Sequence, residues 1–75
     1  MTTKTLDAKG LNCPLPILKT KQTLSGMAGG DTLEVLCTDP GSVEDFQAFC
    51  RATGNELLEQ GRAGEAYRYV IERRA

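Results

Sequence analysis

Apolar residues recur along this chain with two different spacings, and the switches between them divide it into alternating strands and helices. Thr3 to Ala8 reads as a short first strand with Leu6 as its clearest apolar anchor. From about Pro14 to Met27 the spacing turns helical: Ile17, Thr20, Leu24 and Met27 share one face and are predicted core, while Leu15 and Leu18 fall well away from it. Gly29-Gly30-Asp31 ends that helix and turns the chain. Thr32 to Thr38 alternates as a strand, with Leu33, Val35 and Cys37 on one side and Glu34 and Leu36 on the other. Asp39-Pro40-Gly41 is a turn that delivers Ser42 as the N-cap of a second helix, with Asp45 three residues on as a weak capping-box partner. Val43, Phe46, Phe49, Cys50 and Thr53 form the predicted buried stripe of that helix, and Gly54 stops it. Asn55 to Gln60 reads as a third strand, Gly61 to Gly64 as a hairpin loop, and Glu65 to Arg73 as a fourth strand with Tyr67, Tyr69 and Ile71 in alternation.

The order βαβαββ predicts an α/β two-layer sandwich, a four-stranded mixed sheet with two helices on one face, over a single domain of residues 1–75. The first two strands then run parallel and end at the same edge of the sheet. Cys13 follows one and Asp39 follows the other, so both helix N-termini open toward one rim, where ligands and partners of open α/β sheets tend to meet.

Composition narrows what such a rim can do. With 75 residues there is little room for both a core and a deep enclosed cavity, so exposed chemistry is expected. A net charge of -1 and a pI near 5.3 argue against direct nucleic-acid binding. No apolar run is long enough to span a bilayer, and Met1-Thr2-Thr3-Lys4 lacks the apolar stretch of a secretory signal. Three cysteines, an odd number with no CxxC spacing, point to the reducing cytoplasm rather than a disulfide scaffold. The chain has no histidine, which disfavours a Cys-His hydrolase pair and the usual zinc site; no cofactor motif or metal site is read, and nothing demands more than a monomer.

What chemistry remains is sulfur chemistry at Cys13. It precedes Pro14-Leu15-Pro16, where Asn12 or Cys13 would cap the first helix and Pro14 suits the first helical position. A thiol beside unpaired backbone N–H groups and the positive helix end is expected to ionise more easily, and the thiolate is the reactive form. Cys37 and Cys50 lie on predicted core faces and read as structural. Asp39 before Pro-Gly is usually a turn former, but the topology sets it on the same rim as Cys13; its charge would oppose the thiolate. Leu15 and Leu18 are either ordinary exposed leucines or a docking patch beside the thiol, flanked by Lys19 and Gln22. Lys9, Lys19, Lys21 and Arg51 read as solvated charges and Arg73-Arg74 as a solvated tail.

Leu6-Asp7-Ala8, then Gly10-Leu11-Asn12-Cys13-Pro14-Leu15-Pro16, then Thr38-Asp39-Pro40-Gly41-Ser42 resembles the TusA/SirA-like sulfur carriers over almost the whole chain. The resemblance implies a cysteine that carries sulfane sulfur as a persulfide, which by match to the motif is Cys13, with Pro14 and Pro16 as its scaffold. It also implies a cysteine desulfurase or rhodanese-like donor and an acceptor protein, in tRNA thiolation, molybdenum-cofactor maturation or sulfur oxidation. Two rival readings stand beside it: a thiol-redox sensor pairing Cys13 with Cys50 or a partner, and a regulatory or RNA-binding module. The sparse basic surface and the lack of an aromatic platform speak against the last.

Overall fold

Residues 3–74 are described in the computed structural model, in the order β1 (Thr3–Ala8), α1 (Leu15–Ser25), β2 (Thr32–Cys37), α2 (Ser42–Thr53), β3 (Glu56–Ala63) and β4 (Ala66–Glu72). The strands form one mixed sheet in the order β1-β2-β4-β3. β1 and β2 pair in parallel, and β4 is antiparallel to both β2 and β3, so it alone runs against the other three. β1, β2 and β3 therefore all finish at one rim, which also receives the turns into both helices.

Period-two alternation decides what each strand buries. On the helix side, Leu6, Val35 and Tyr69 lie in one cross-strand row, Ala8, Cys37 and Tyr67 in the next, and Leu33, Ile71 and Leu57 in a third. Ala8, Leu33, Val35, Cys37, Tyr69 and Ile71 are sealed by Leu24 and Met27 from the first helical segment and by Phe46 and Cys50 from α2. Phe46 stacks on Tyr69 with ring centroids 4.5 Å apart; a side chain buried so completely contributes about 1.5–3 kcal/mol. The opposite face is polar. Arg68 bridges Glu34 and Glu59, Thr3 bonds Thr32, and Thr5 donates to Glu34. Leu58 is exposed because a bulge between Leu57 and Glu59 displaces it from the alternation.

The elements agree with the sequence reading, with local corrections. α1 begins at Leu15, with Pro14 at the cap and Pro16 inside the first turn. Neither Asn12 nor Cys13 occupies the cap, because two prolines fix the backbone one residue later. Pro16 is buried and Ile17 only partly so, and Thr20 is accommodated by donating its hydroxyl to the Pro16 carbonyl at 2.8 Å. The helix ends at Ser25, and Met27 reaches the core from the turn beyond it. Thr53 is exposed rather than buried, its hydroxyl bonded back to Phe49. β3 continues to Ala63, which shortens the hairpin loop to Gly64-Glu65; Gly64 has φ +64°, as the first position of such a turn requires. The Arg73-Arg74 tail is pinned: the Arg73 guanidinium donates to the Leu24 carbonyl, and Arg74 pairs with Glu56 and Glu72.

Ser42 is the most informative correction. The cap position belongs to Gly41, and Ser42 points inward, where its hydroxyl shares a 2.7 Å hydrogen bond with the Tyr69 hydroxyl. Both residues are fully buried, so neither hydroxyl has water as a substitute. Ser42→Ala and Tyr69→Phe should each cost about 1–3 kcal/mol in urea unfolding, and the double variant clearly less than the sum, because only the single changes strand a buried hydroxyl.

Candidate functional site

Parallel pairing of Ala8 with Cys37 ends β1 and β2 at the same level, so the loops that follow lie side by side. Hydrogen bonds join them. The Gly10 N–H donates to Thr38 Oγ1 at 2.9 Å, and the Cys13 N–H donates to Asp39 Oδ2 at 3.1 Å. Asp39 Oδ1 accepts the Gly41 N–H at 3.3 Å, and the Asp39 carbonyl accepts the Ser42 N–H at 3.0 Å, a side-chain-reinforced turn that starts α2. One carboxylate thus positions the thiol-bearing residue and opens the second helix.

Cys13 is exposed, whereas Cys37 and Cys50 are buried. Burial also pushes the Cys50 thiol up, away from the reactive form. Thiol and carboxylate atoms of Cys13, Asp39 and Asp45 lie within 4.8 Å of one another. The expected ionisation of Cys13 is reversed by this arrangement: its thiol is raised above the ordinary value. The main cause is the Asp45 carboxylate acting as an acceptor for the S–H, followed by slight desolvation and the repulsion of Asp45 and then Asp39.

The helix end does not offset the two carboxylates, for a reason written in the motif itself. Cys13 lies one residue outside the cap. Pro14 and Pro16 have no N–H, and the Leu15 N–H is taken by the Asn12 carbonyl at 2.9 Å. The prolines that suggested an anion-stabilising helix start remove two of the donors such a site would use. The Cys13–Pro14 peptide is cis.

Leu15 and Leu18 are exposed at 46% and 47%, as the helical spacing required. A second apolar surface lies closer to the chemistry: a shallow depression between α1 and α2 that adjoins Cys13 and Asp45, with Ile17, Ala48, Phe49 and Ala52 along it. Sequence reading missed Asp45 as a neighbour of the thiol. It treated Asp45 as a capping partner on local spacing, whereas its contact with Cys13 spans two loops. Acidic residues in the first turn of α2 are favoured by the helix dipole, which accounts for their presence there without any reference to the thiol.

A family model described as sulfurtransferase TusA matches residues 4–73. The sulfur carrier protein TusA of Allochromatium vinosum is 54% identical over 68 residues, covering 91% of this chain and 90% of its own. The chain belongs to the TusA family. A solved SirA-like protein from Desulfitobacterium hafniense has the same fold, with a TM-score of 0.82 at 23% identity over 96% of this chain and 99% of that one. The family match and the structural likeness thus agree on a TusA-family chain whose fold is shared with a SirA-like protein.

Asp39→Ala removes the acceptor that serves both Cys13 and Gly41. It should lower stability by about 1–2 kcal/mol and speed hydrogen exchange at those two amides selectively, leaving the β2–β4 amides in their native order of protection. Unchanged exchange at Cys13 and Gly41 would show that the loops are held by other contacts.

Proposed function

We propose that this TusA-family protein carries sulfur as a persulfide on Cys13 and relays it between a donor and an acceptor protein. The observation that carries this reading is the position of Cys13: the exposed thiol of the three, presented on the rim by its backbone bond to Asp39. Deprotonated Cys13 attacks the outer sulfur of a donor persulfide, R–S–SH. The donor S–S bond breaks, a Cys13 S–S bond forms, and the donor leaves as thiolate. An acceptor thiolate then attacks the outer sulfur of Cys13–S–SH and regenerates the Cys13 thiolate. Neither half-step changes the total oxidation state of the sulfurs, so no cofactor is required.

The donor in this reading is a cysteine desulfurase or a rhodanese-like protein, and the acceptor serves tRNA thiolation, molybdenum-cofactor maturation or sulfur oxidation. Three unpaired thiols suit a cytoplasmic setting. Among the described residues no helix is long and apolar enough to cross a membrane. Pro14 and Pro16 hold the approach to the helix, and Leu15 and Leu18, both outward-facing, offer apolar surface for the two partners. Burial of Cys37 and Cys50 weighs against the sensor alternative, which needs a resolving thiol within reach.

Intact-mass analysis after incubation with a cysteine desulfurase and cysteine tests the relay. Wild type should gain one sulfur atom and Cys13→Ser none; loading of Cys13→Ser to the wild-type level would remove Cys13 from the mechanism. Leu15→Asp should slow both loading and unloading at least several-fold while leaving alkylation of Cys13 by a small reagent unchanged. Normal transfer in that variant would exclude the leucines from docking.

A further inference from the structure

We infer that Asp45 is a positioning residue that restrains Cys13, holding the thiol's proton in the free carrier so that sulfur chemistry waits until this carboxylate is neutralised or covered. The inference rests on Cys13 being the sulfur-bearing residue, and it assigns a role to a side chain on a different element, α2.

The geometry has three parts. Asp39 is committed: both its oxygens accept loop N–H groups, one from Cys13 and one from Gly41. Asp45 has a different relation to the site, because its backbone N–H closes the first turn of α2 on the Gly41 carbonyl at 3.2 Å and its carboxylate faces the thiol. The charged groups acting on the sulfur, from the β2–α2 loop and from α2, are both carboxylates, and among the described residues no cation is seen to offset them. On its own side of the site, α1 starts with a proline at the cap and another in the first turn, where N–H donors would otherwise favour an anion. Both carboxylates favour S–H over S⁻.

Such a restraint has a kinetic signature that a structural role lacks. Raising a thiol's pKa removes thiolate at neutral pH tenfold per unit, but the thiolate that remains is intrinsically about threefold more nucleophilic, since reactivity follows basicity with a slope of about 0.4–0.5. Freeing Cys13 from Asp45 should therefore speed its reactions at neutral pH and slow them at high pH, where all forms are ionised. The profiles of restrained and released proteins must cross. Screening adds a second mark: as salt rises toward 1 M, where the Debye length shrinks to about 3 Å, the wild type should accelerate at neutral pH and the released form less.

Iodoacetamide alkylation, followed by intact mass from pH 6 to 11, provides the test, on wild type, Asp45→Asn and Asp45→Glu. The reagent forms one S–C bond with the thiolate and releases iodide. Asp45→Asn should react faster than wild type at neutral pH, about threefold for every tenfold gain in thiolate, with its midpoint moved down, and more slowly on the alkaline plateau. Asp45→Glu, which keeps the charge, should follow wild type. Superimposable profiles for wild type and Asp45→Asn overturn the inference, as does any result in which Asn and Glu behave alike. The persulfide-loading measurement separates this from the carrier reading. Crossing profiles without loading retire the carrier and keep the restraint; loading on Cys13 with superimposed profiles does the reverse.

Discussion

The Asp39 carboxylate is the contact on which the rest of the site depends. Parallel strands end side by side, which leaves two adjacent loops whose backbone N–H groups need acceptors. Asp39 supplies one to Cys13 and one to Gly41, and Thr38 supplies one to Gly10. The place of the sulfur is consequently dictated less by the helix that follows it than by the neighbouring strand. In this α/β sandwich the reactive loop is held by an acidic side chain from the adjacent turn.

That solution carries an electrostatic penalty. An anion that accepts the Cys13 N–H also repels a thiolate on the same residue, and Asp45 adds a second charge and an acceptor for the S–H. The usual remedy, a helix N-terminus rich in free N–H groups, is blunted by Pro14, Pro16 and the Asn12 carbonyl. Positioning has been favoured over acidity. A carrier that must meet two partners in turn has reason for this order: thiolate exposed between encounters is the form that oxidises irreversibly, whereas a protonated thiol persists.

Much of the fold was legible because two periodicities rarely mimic each other. Alternation in Leu33-Val35-Cys37 and in Tyr67-Tyr69-Ile71 located the central strands, and the Phe46/Cys50 spacing located α2. Boundaries failed where side chains have two uses. Ser42 has a cap residue's chemistry, yet a buried tyrosine hydroxyl competed for it and won, because Gly41 and the Asp39 turn begin the helix without it. Pro16 looked like a local stiffener and proved to be core. At the site, Cys13 stood out through its Pro-Leu-Pro motif, and the rim it shares with Asp39 followed from topology, since both trail parallel strands. The direction of the Cys13 shift did not, because it depends on which N–H groups are already spent and on Asp45, a contact between residues 32 positions apart.

Faces of the molecule divide along the same lines. The outer surface of the sheet is a grid of paired groups, with Arg68 held by Glu34 and Glu59 and threonines bonded across β1 and β2. Its charges are already mutually satisfied, which leaves little for a partner to gain by desolvating them. The helix side differs. Leu15 and Leu18 stand exposed, and the depression along Ile17, Ala48, Phe49 and Ala52 runs up to the thiol. A surface closing over that depression would exclude water from Cys13 while pressing against Asp45, so apolar contact and the electrostatic state of the sulfur cannot change independently. In the proposed relay, recognition and activation are coupled by this shared placement on one rim, which suits a domain with little room for separate binding and reacting sites.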